Sequence, residues 1–217
     1  MSLTENHIFI SPIYFSEKKD WVEKLNKISD SYIQKAKEKN KNKLINNKDF
    51  AMVHHSNSLV ENLDFDEFLK YINKNAFNIL NNQGFDLTNY LLATTELWVQ
   101  EFASLGGGSH TPHIHWNGHI SGFYFLKCSD KTSFPVFHDP RSGRMMNLLP
   151  EKNQYKITLA SSSINFKPQP GDFIFFNSYL QHEFVVDHGI EPFRFIHFNI
   201  QAFPKQLINN DIKRISS

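Results

Sequence analysis

Apolar residues recur at steps of three and four in the first third of the chain, and at steps of two or in unbroken runs thereafter. Val22, Leu25, Ile28, Tyr32, Ile33 and Ala36 trace one face of a helix, with Ser16 as its candidate cap. A second helix is predicted from Asp64, where Glu67 would close an Asp-led capping box, and Phe68, Leu69, Ile72, Ala76, Ile79 and Leu80 would form its apolar face up to a stop at Gly84. Strands are predicted over 92–102, 113–116, 120–127, 133–138, 155–159, 163–166, 172–176, 182–186 and 193–202. Turn signals separate them: GGG at 106–108, Asn117-Gly118, and the Pro/Gly clusters at 140–143, 168–171 and 187–189. Short strands at this spacing predict an antiparallel sandwich or barrel. The expected organisation is a single domain over 1–217: a helical region (1–90) packed on the outside, a β core (91–203) and a tail (204–217).

Composition narrows the function classes. Of 217 residues, 23 are basic and 22 acidic, so no global field draws the chain to nucleic acid or an anionic membrane. The lysine-rich stretch 35–48 carries six lysines without arginines or interleaved aromatics, and reads as a solvated helix end and mobile loop. One cysteine, Cys128, cannot form an internal disulfide, and the sequence shows no leader-like or membrane-spanning apolar run; a cytoplasmic protein is expected. The 21 phenylalanines concentrate in FYF (123–125), FIFF (173–176) and FRFIHF (193–198), which predicts an aromatic sheet core.

Chemistry concentrates in His110-Thr-Pro-His113-Ile-His115-Trp116-Asn117-Gly118-His119. On an extended strand His113 and His115 point to one side, a two-ligand claw for a metal that needs a third ligand from a distant strand. Taken alone, an H-x-H pair equally describes two histidines bonded to the sheet or to water. Asn117-Gly118 is read as a turn; the hairpin ladder it could support, pairing His113 with Gly122 and His115 with Ile120, is not expected to form. Downstream, Arg194 sits among phenylalanines, where a guanidinium needs an anionic partner: an internal one such as Asp172 or Glu183, or a ligand's carboxylate.

H-x-H, then S-G-F-Y-F-L, then P-x-P-G-D-F-I-F-F, then L-x-H, then R-F-x-H-F-N resembles the iron(II)- and 2-oxoglutarate-dependent dioxygenases. The similarity is greatest to the small oxygenases related to prolyl hydroxylases that occur in bacteria and their phages, and it covers about residues 92–203. The resemblance implies a double-stranded β-helix, or jelly roll, with Fe(II), 2-oxoglutarate and O2 as cofactors and cosubstrates. It implies His113, His115 and His182 as metal ligands and catalytic centre, with Arg194 gripping the far carboxylate of 2-oxoglutarate. Gln100 and Tyr124 stand where cosubstrate contacts occur in such enzymes, or are ordinary buried polar tips. The usual carboxylate ligand is replaced by His115, and Asp139 is the alternative donor, or simply a turn residue. His110 and His119 belong near the site or to loops, His197 faces away from Arg194, and Arg141 binds substrate or caps a turn.

The implied reaction is hydroxylation of an unactivated C–H bond, in a prolyl or other protein side chain or in a small molecule. The competing classes are a metal- or sugar-binding jelly roll without oxidative chemistry, a viral structural module, and a cupin-type metal isomerase. No specific nucleic acid or membrane partner is expected, and oligomeric state is left open.

Overall fold

The computed structural model describes residues 4, 7–44, 46, 48–116, 118–141, 143 and 149–206. Among the described residues ten strands and two α-helices follow in the order β1 (Ile13–Glu17), α1 (Val22–Asn40), β2 (Val53–His55), α2 (Asp66–Asn82), β3 (Tyr90–Phe102), β4 (His110–His113), β5 (Ile120–Lys127), β6 (Pro135–His138), β7 (Ser163–Asn165), β8 (Asp172–Asn177), β9 (His182–Phe184) and β10 (Arg194–Pro204). They form a six-stranded sheet, β1-β8-β5-β10-β3-β2, and a four-stranded sheet, β4-β9-β6-β7. Strands β3 to β10 cross between the sheets in the pattern of a jelly roll, with antiparallel pairing throughout.

Two hydrophobic cores flank the large sheet. On one face α1 and α2 press Leu25, Ile33, Phe68, Ile72 and Ile79 onto Leu97, Val99, Tyr124, Phe173, Ile196 and Phe198. On the other, the small sheet closes over Phe123, Phe125, Ile174, Phe176 and Phe195. Burial on both faces explains why β5 and β8 read as near-continuous apolar runs instead of alternating ones. Gly122 belongs to this economy of space, because a methyl there would collide with the Phe198 ring and the Ile174 carbonyl.

The helices start differently from the sequence reading. Ser16 caps nothing: it lies in β1, paired with Phe173, and accepts from Tyr71. A 3-10 turn, Lys19–Trp21, leads into α1. Before α2, Asn62 performs the capping by accepting from the Asp64 N–H at 2.9 Å, while Glu67 pairs with Lys24 at 3.1 Å. Gly84, at φ +93°, ends α2 as expected. The helical region also donates β1 and β2 to the edges of the large sheet. Residues 155–159 form no strand, and β4 begins at His110 instead of 113. The lysine-rich segment is helical through Asn40, and its Lys37 pairs with buried Glu101 at 2.6 Å, so its first half packs against the sheet. No helix of the described residues is long and apolar enough to cross a membrane.

Candidate metal centre

His113 ends β4 directly opposite His182, the first residue of β9, and His115 follows two residues on. The His115 N–H donates to the Ser178 carbonyl at 2.9 Å, which ties this loop to the β8–β9 turn. His113 and His182 rings lie 4.5 Å apart, and each is 5.1 Å from the ring of His115. One donor atom from each of the three falls within 4.8 Å of the other two. The structure thus brings together the three histidines singled out in the sequence. The hairpin ladder does not form: Ile120 pairs with Asn177 and Ile200, and Asn117 lies outside the described residues.

Hydrogen bonding occupies the Nδ1 atoms of two of the rings. His113 Nδ1 lies 2.7 Å from the Thr111 carbonyl and His182 Nδ1 lies 3.0 Å from the Leu180 carbonyl. A carbonyl only accepts, so the proton sits on Nδ1 in both and the Nε2 lone pair is left for a ligand. The Nε2 atoms of His115, His182 and His197 are buried without a partner. Burial pushes His182 down to about 3 and His115 down to about 4, the latter helped by neighbouring His113. Both are therefore neutral imidazoles at pH 7, the form that binds metals. His115 Nδ1 meets the Asn199 amide at 3.1 Å, and Asn199 in turn takes the Ser121 hydroxyl at 2.5 Å and bonds Glu96.

Glu96 was not legible as a site residue, yet it forms a second donor group with His115 and His197, again within 4.8 Å. Its signal was alternation: Glu96, Trp98 and Gln100 occupy one face of β3, opposite Asn199, His197 and Phe195 of β10. Asp139 does not fill the place of the missing carboxylate. Arg141 clamps it with bonds of 2.9 and 2.7 Å, and its Oδ1 also accepts the Arg141 N–H in a tight turn.

Beside the histidines a cavity of about 200 Å³ opens between the sheets, lined by His55, Trp98, Gln100, His110, Phe195 and His197 together with the three candidate ligands, Phe123 and Phe184. Gln100 lies here as expected, its Oε1 2.7 Å from His110 Nε2. Arg194 and Tyr124 do not. The Arg194 guanidinium points to the helix face, held by Glu101 at 2.7 Å and by Asp30 of α1 at 2.6 Å. The Tyr124 hydroxyl donates to the Lys18 carbonyl at 2.7 Å within the helix-side core. Alternation had placed Arg194 with Ile196 and Phe198; those residues face the helices, and it is His197 that faces the histidine cluster. His119 accepts from the Ala202 N–H at 3.2 Å along β10. A larger cavity, about 460 Å³, lies between residues 7–11 and the 138–141 and 158–164 segments and shares no lining residue with the histidine site.

Residues 96–199 match the family model described as "Putative 2OG-Fe(II) oxygenase". Over that segment, just under half of its length, the chain is similar to the iron(II)- and 2-oxoglutarate-dependent oxygenases. The matched segment runs from Glu96 to Asn199 and so contains every residue of the histidine cluster. Among solved structures, a Pseudomonas putida prolyl-4-hydroxylase is 10% identical, covers 87% of this chain and 92% of its own, and superposes with a TM-score of 0.53. The non-heme alpha-ketoglutarate-dependent carbocyclase SnoK of nogalamycin biosynthesis is 8% identical, with 90% and 83% coverage and a TM-score of 0.58. At such identities the likeness is one of fold. The chain spans 60% of the length of the nogalamycin epimerase SnoN, which is 12% identical over 69% of this chain with a TM-score of 0.47. No curated protein matches the sequence.

Proposed function

We propose that this protein is an Fe(II)- and 2-oxoglutarate-dependent hydroxylase whose metal is held by His113, His115 and His182. The observation that carries this reading is the convergence of three imidazoles, two with Nδ1 bonded to a backbone carbonyl so that Nε2 is left for a ligand, at one end of a cavity between the sheets. Iron(II) with 2-oxoglutarate supplies the oxidising chemistry, in which dioxygen and the 2-oxo acid yield succinate, carbon dioxide and one oxygen atom inserted into a C–H bond. The chain's own residues supply position and exclusion of water. The Thr111 and Leu180 carbonyls fix two ring orientations, and Asn199 with Ser121 fixes the third. Phe123, Phe137 and Phe176 pack edgewise or tilted on His182 and keep its inner side dry.

Exposed Ile114 and Trp116 flank His115, and exposed Tyr179 follows Ser178 on the adjoining turn. These apolar surfaces beside the metal ligands support a protein side chain, proline included, as the substrate class. A second reading has its own support: among the described residues no lysine or arginine lines the cavity, which suits a jelly roll that holds metal without a dicarboxylate. The two separate in one assay, in which protein, Fe(II), 2-oxoglutarate and dioxygen are incubated with proline-containing peptides. Succinate formation and gain of one oxygen atom by the peptide are expected. Stoichiometric metal binding with no succinate would favour the non-oxidative reading.

A further inference from the structure

2-Oxoglutarate is a diacid, and the carboxylate that does not reach the metal needs its own partner. The sequence assigned that task to Arg194, but the structure engages this guanidinium with two carboxylates on the opposite face of the sheet. The cavity itself holds a different kind of donor. Trp98 Nε1 is buried without any hydrogen-bond partner, and an indole N–H can only donate. A buried donor left without an acceptor is costly, so its persistence in a cavity wall marks the position of an acceptor that comes from outside the chain.

The surroundings of Trp98 fit a carboxylate. His197 lies directly across from Trp98 on β10, their rings 4.6 Å apart, and its Nε2 is likewise buried without a partner. On the other side the His55 ring packs tilted against Trp98 at 4.7 Å, and its Nδ1 is occupied by the Ser56 carbonyl. Gln100, two residues along the same face of β3, uses Oε1 on His110 and so turns its carbonyl end away from any anion beside its amide nitrogen. None of the described lining residues is an acid; the nearby acid, Glu96, stands on the His115 side of His197 and accepts a hydrogen bond from the Asn199 amide. The placement is also right for a five-carbon chain. His197 stacks on candidate ligand His115 at 4.7 Å, so Trp98 stands two ring steps from the metal centre. With bonds of about 1.5 Å, the terminal carboxyl carbons of the diacid are about 5 Å apart.

We infer that Trp98 Nε1–H, supported by His197 and Gln100, is the handle for the far carboxylate of 2-oxoglutarate, a handle of neutral donors in place of an arginine. The inference rests on the oxygenase reading and adds to it the residues that select a dicarboxylic over a monocarboxylic 2-oxo acid. Charge-assisted hydrogen bonds in a dry site discriminate strongly, because the lone carboxylate must otherwise be desolvated without recompense.

The test compares 2-oxoglutarate with 2-oxobutyrate, which keeps the metal-chelating end and lacks the far carboxylate. Affinities are measured by calorimetry on the Mn(II)-loaded full chain without oxygen. The wild type is expected to prefer 2-oxoglutarate. Trp98→Phe keeps the ring and its stacks but loses the N–H; it should weaken 2-oxoglutarate about tenfold and leave 2-oxobutyrate and Mn(II) binding unchanged. Gln100→Glu, which places a negative charge beside the handle, should abolish the preference altogether. A Trp98→Phe protein that retains full preference for 2-oxoglutarate would overturn the handle while leaving the oxygenase reading intact. A wild type that binds Mn(II) but neither acid would overturn the oxygenase reading, and the handle with it.

Discussion

The two faces of β10 and β3 hold polar groups of opposite character. On the helix face, Arg194, Glu101, Lys37 and Asp30 form a closed network in which each charge meets an opposite one. On the small-sheet face, Trp98, His115, His182 and His197 carry polar atoms that are buried and unmet. The helix side has unmet atoms too, the single oxygens Asn26 Oδ1, Ser29 Oγ and Asn73 Oδ1, but its charges are matched within the chain; on the small-sheet face the unmet atoms are ring nitrogens gathered around one cavity. Buried charge is therefore a poor guide to function here, whereas a cluster of unmet ring nitrogens lining a cavity is a good one.

The largest effect is expected on the small-sheet face. His182→Ala should reduce metal affinity by more than about 100-fold, beyond the 10–100-fold typical of residues that only orient ligands, with circular dichroism unchanged. Equilibrium dialysis against Mn(II) checks it; retained stoichiometric binding would mean that Glu96, His115 and His197 form the true seat. On the helix face, Arg194→Met should cost about 3 kcal/mol in urea unfolding, because Glu101 loses a buried partner while keeping Lys37. Its affinity for 2-oxoglutarate should not change, and a folded variant that lost the cosubstrate would return Arg194 to the site.

Acid should separate the faces as well. Burial holds His110 and His115 at about 4 and His182 at about 3, from 6.5. The unfolded chain then binds more protons below pH 6.5, so metal-free stability should fall as pH drops from 6.5 toward 4. On the helix face, hydrogen bonds from Lys37 and Arg194 outweigh burial and hold Glu101 below 4.5, while Arg194 holds Asp30 below 3.8. Their contribution is complete above pH 4.5 and is lost only below it. Urea midpoints against pH should show both phases, and saturating Mn(II) should suppress the upper one alone. The smallest change is Tyr124→Phe, which removes one bond to the Lys18 carbonyl and should cost about 1 kcal/mol with no effect on cosubstrate affinity.

Alternation along β10 was legible in the sequence, as was the separation of Arg194 from His197. Which side faces the metal was not, because the large sheet is buried on both faces and Ile196 is as apolar in environment as Phe195. The claw of His113 and His115 was legible because it depends on adjacent residues only. Strand β2 is three residues long, too short to show a period, and Glu96 acquires meaning only through the register that sets it against Asn199. The jelly-roll order could be anticipated from strand spacing and motif order, whereas the strand expected at 155–159 failed because alternating Tyr155, Ile157 and Leu159 are all exposed.

The central claim is that the small-sheet face alone forms the iron and 2-oxoglutarate site. Anaerobic titration with Fe(II) and then 2-oxoglutarate, followed by the visible charge-transfer absorption of the chelate, tests it most directly. The band should saturate with one iron and one 2-oxoglutarate per chain, persist in Arg194→Met and vanish in His182→Ala. A wild type that binds iron without developing the band, or a band that survives in His182→Ala, would contradict it.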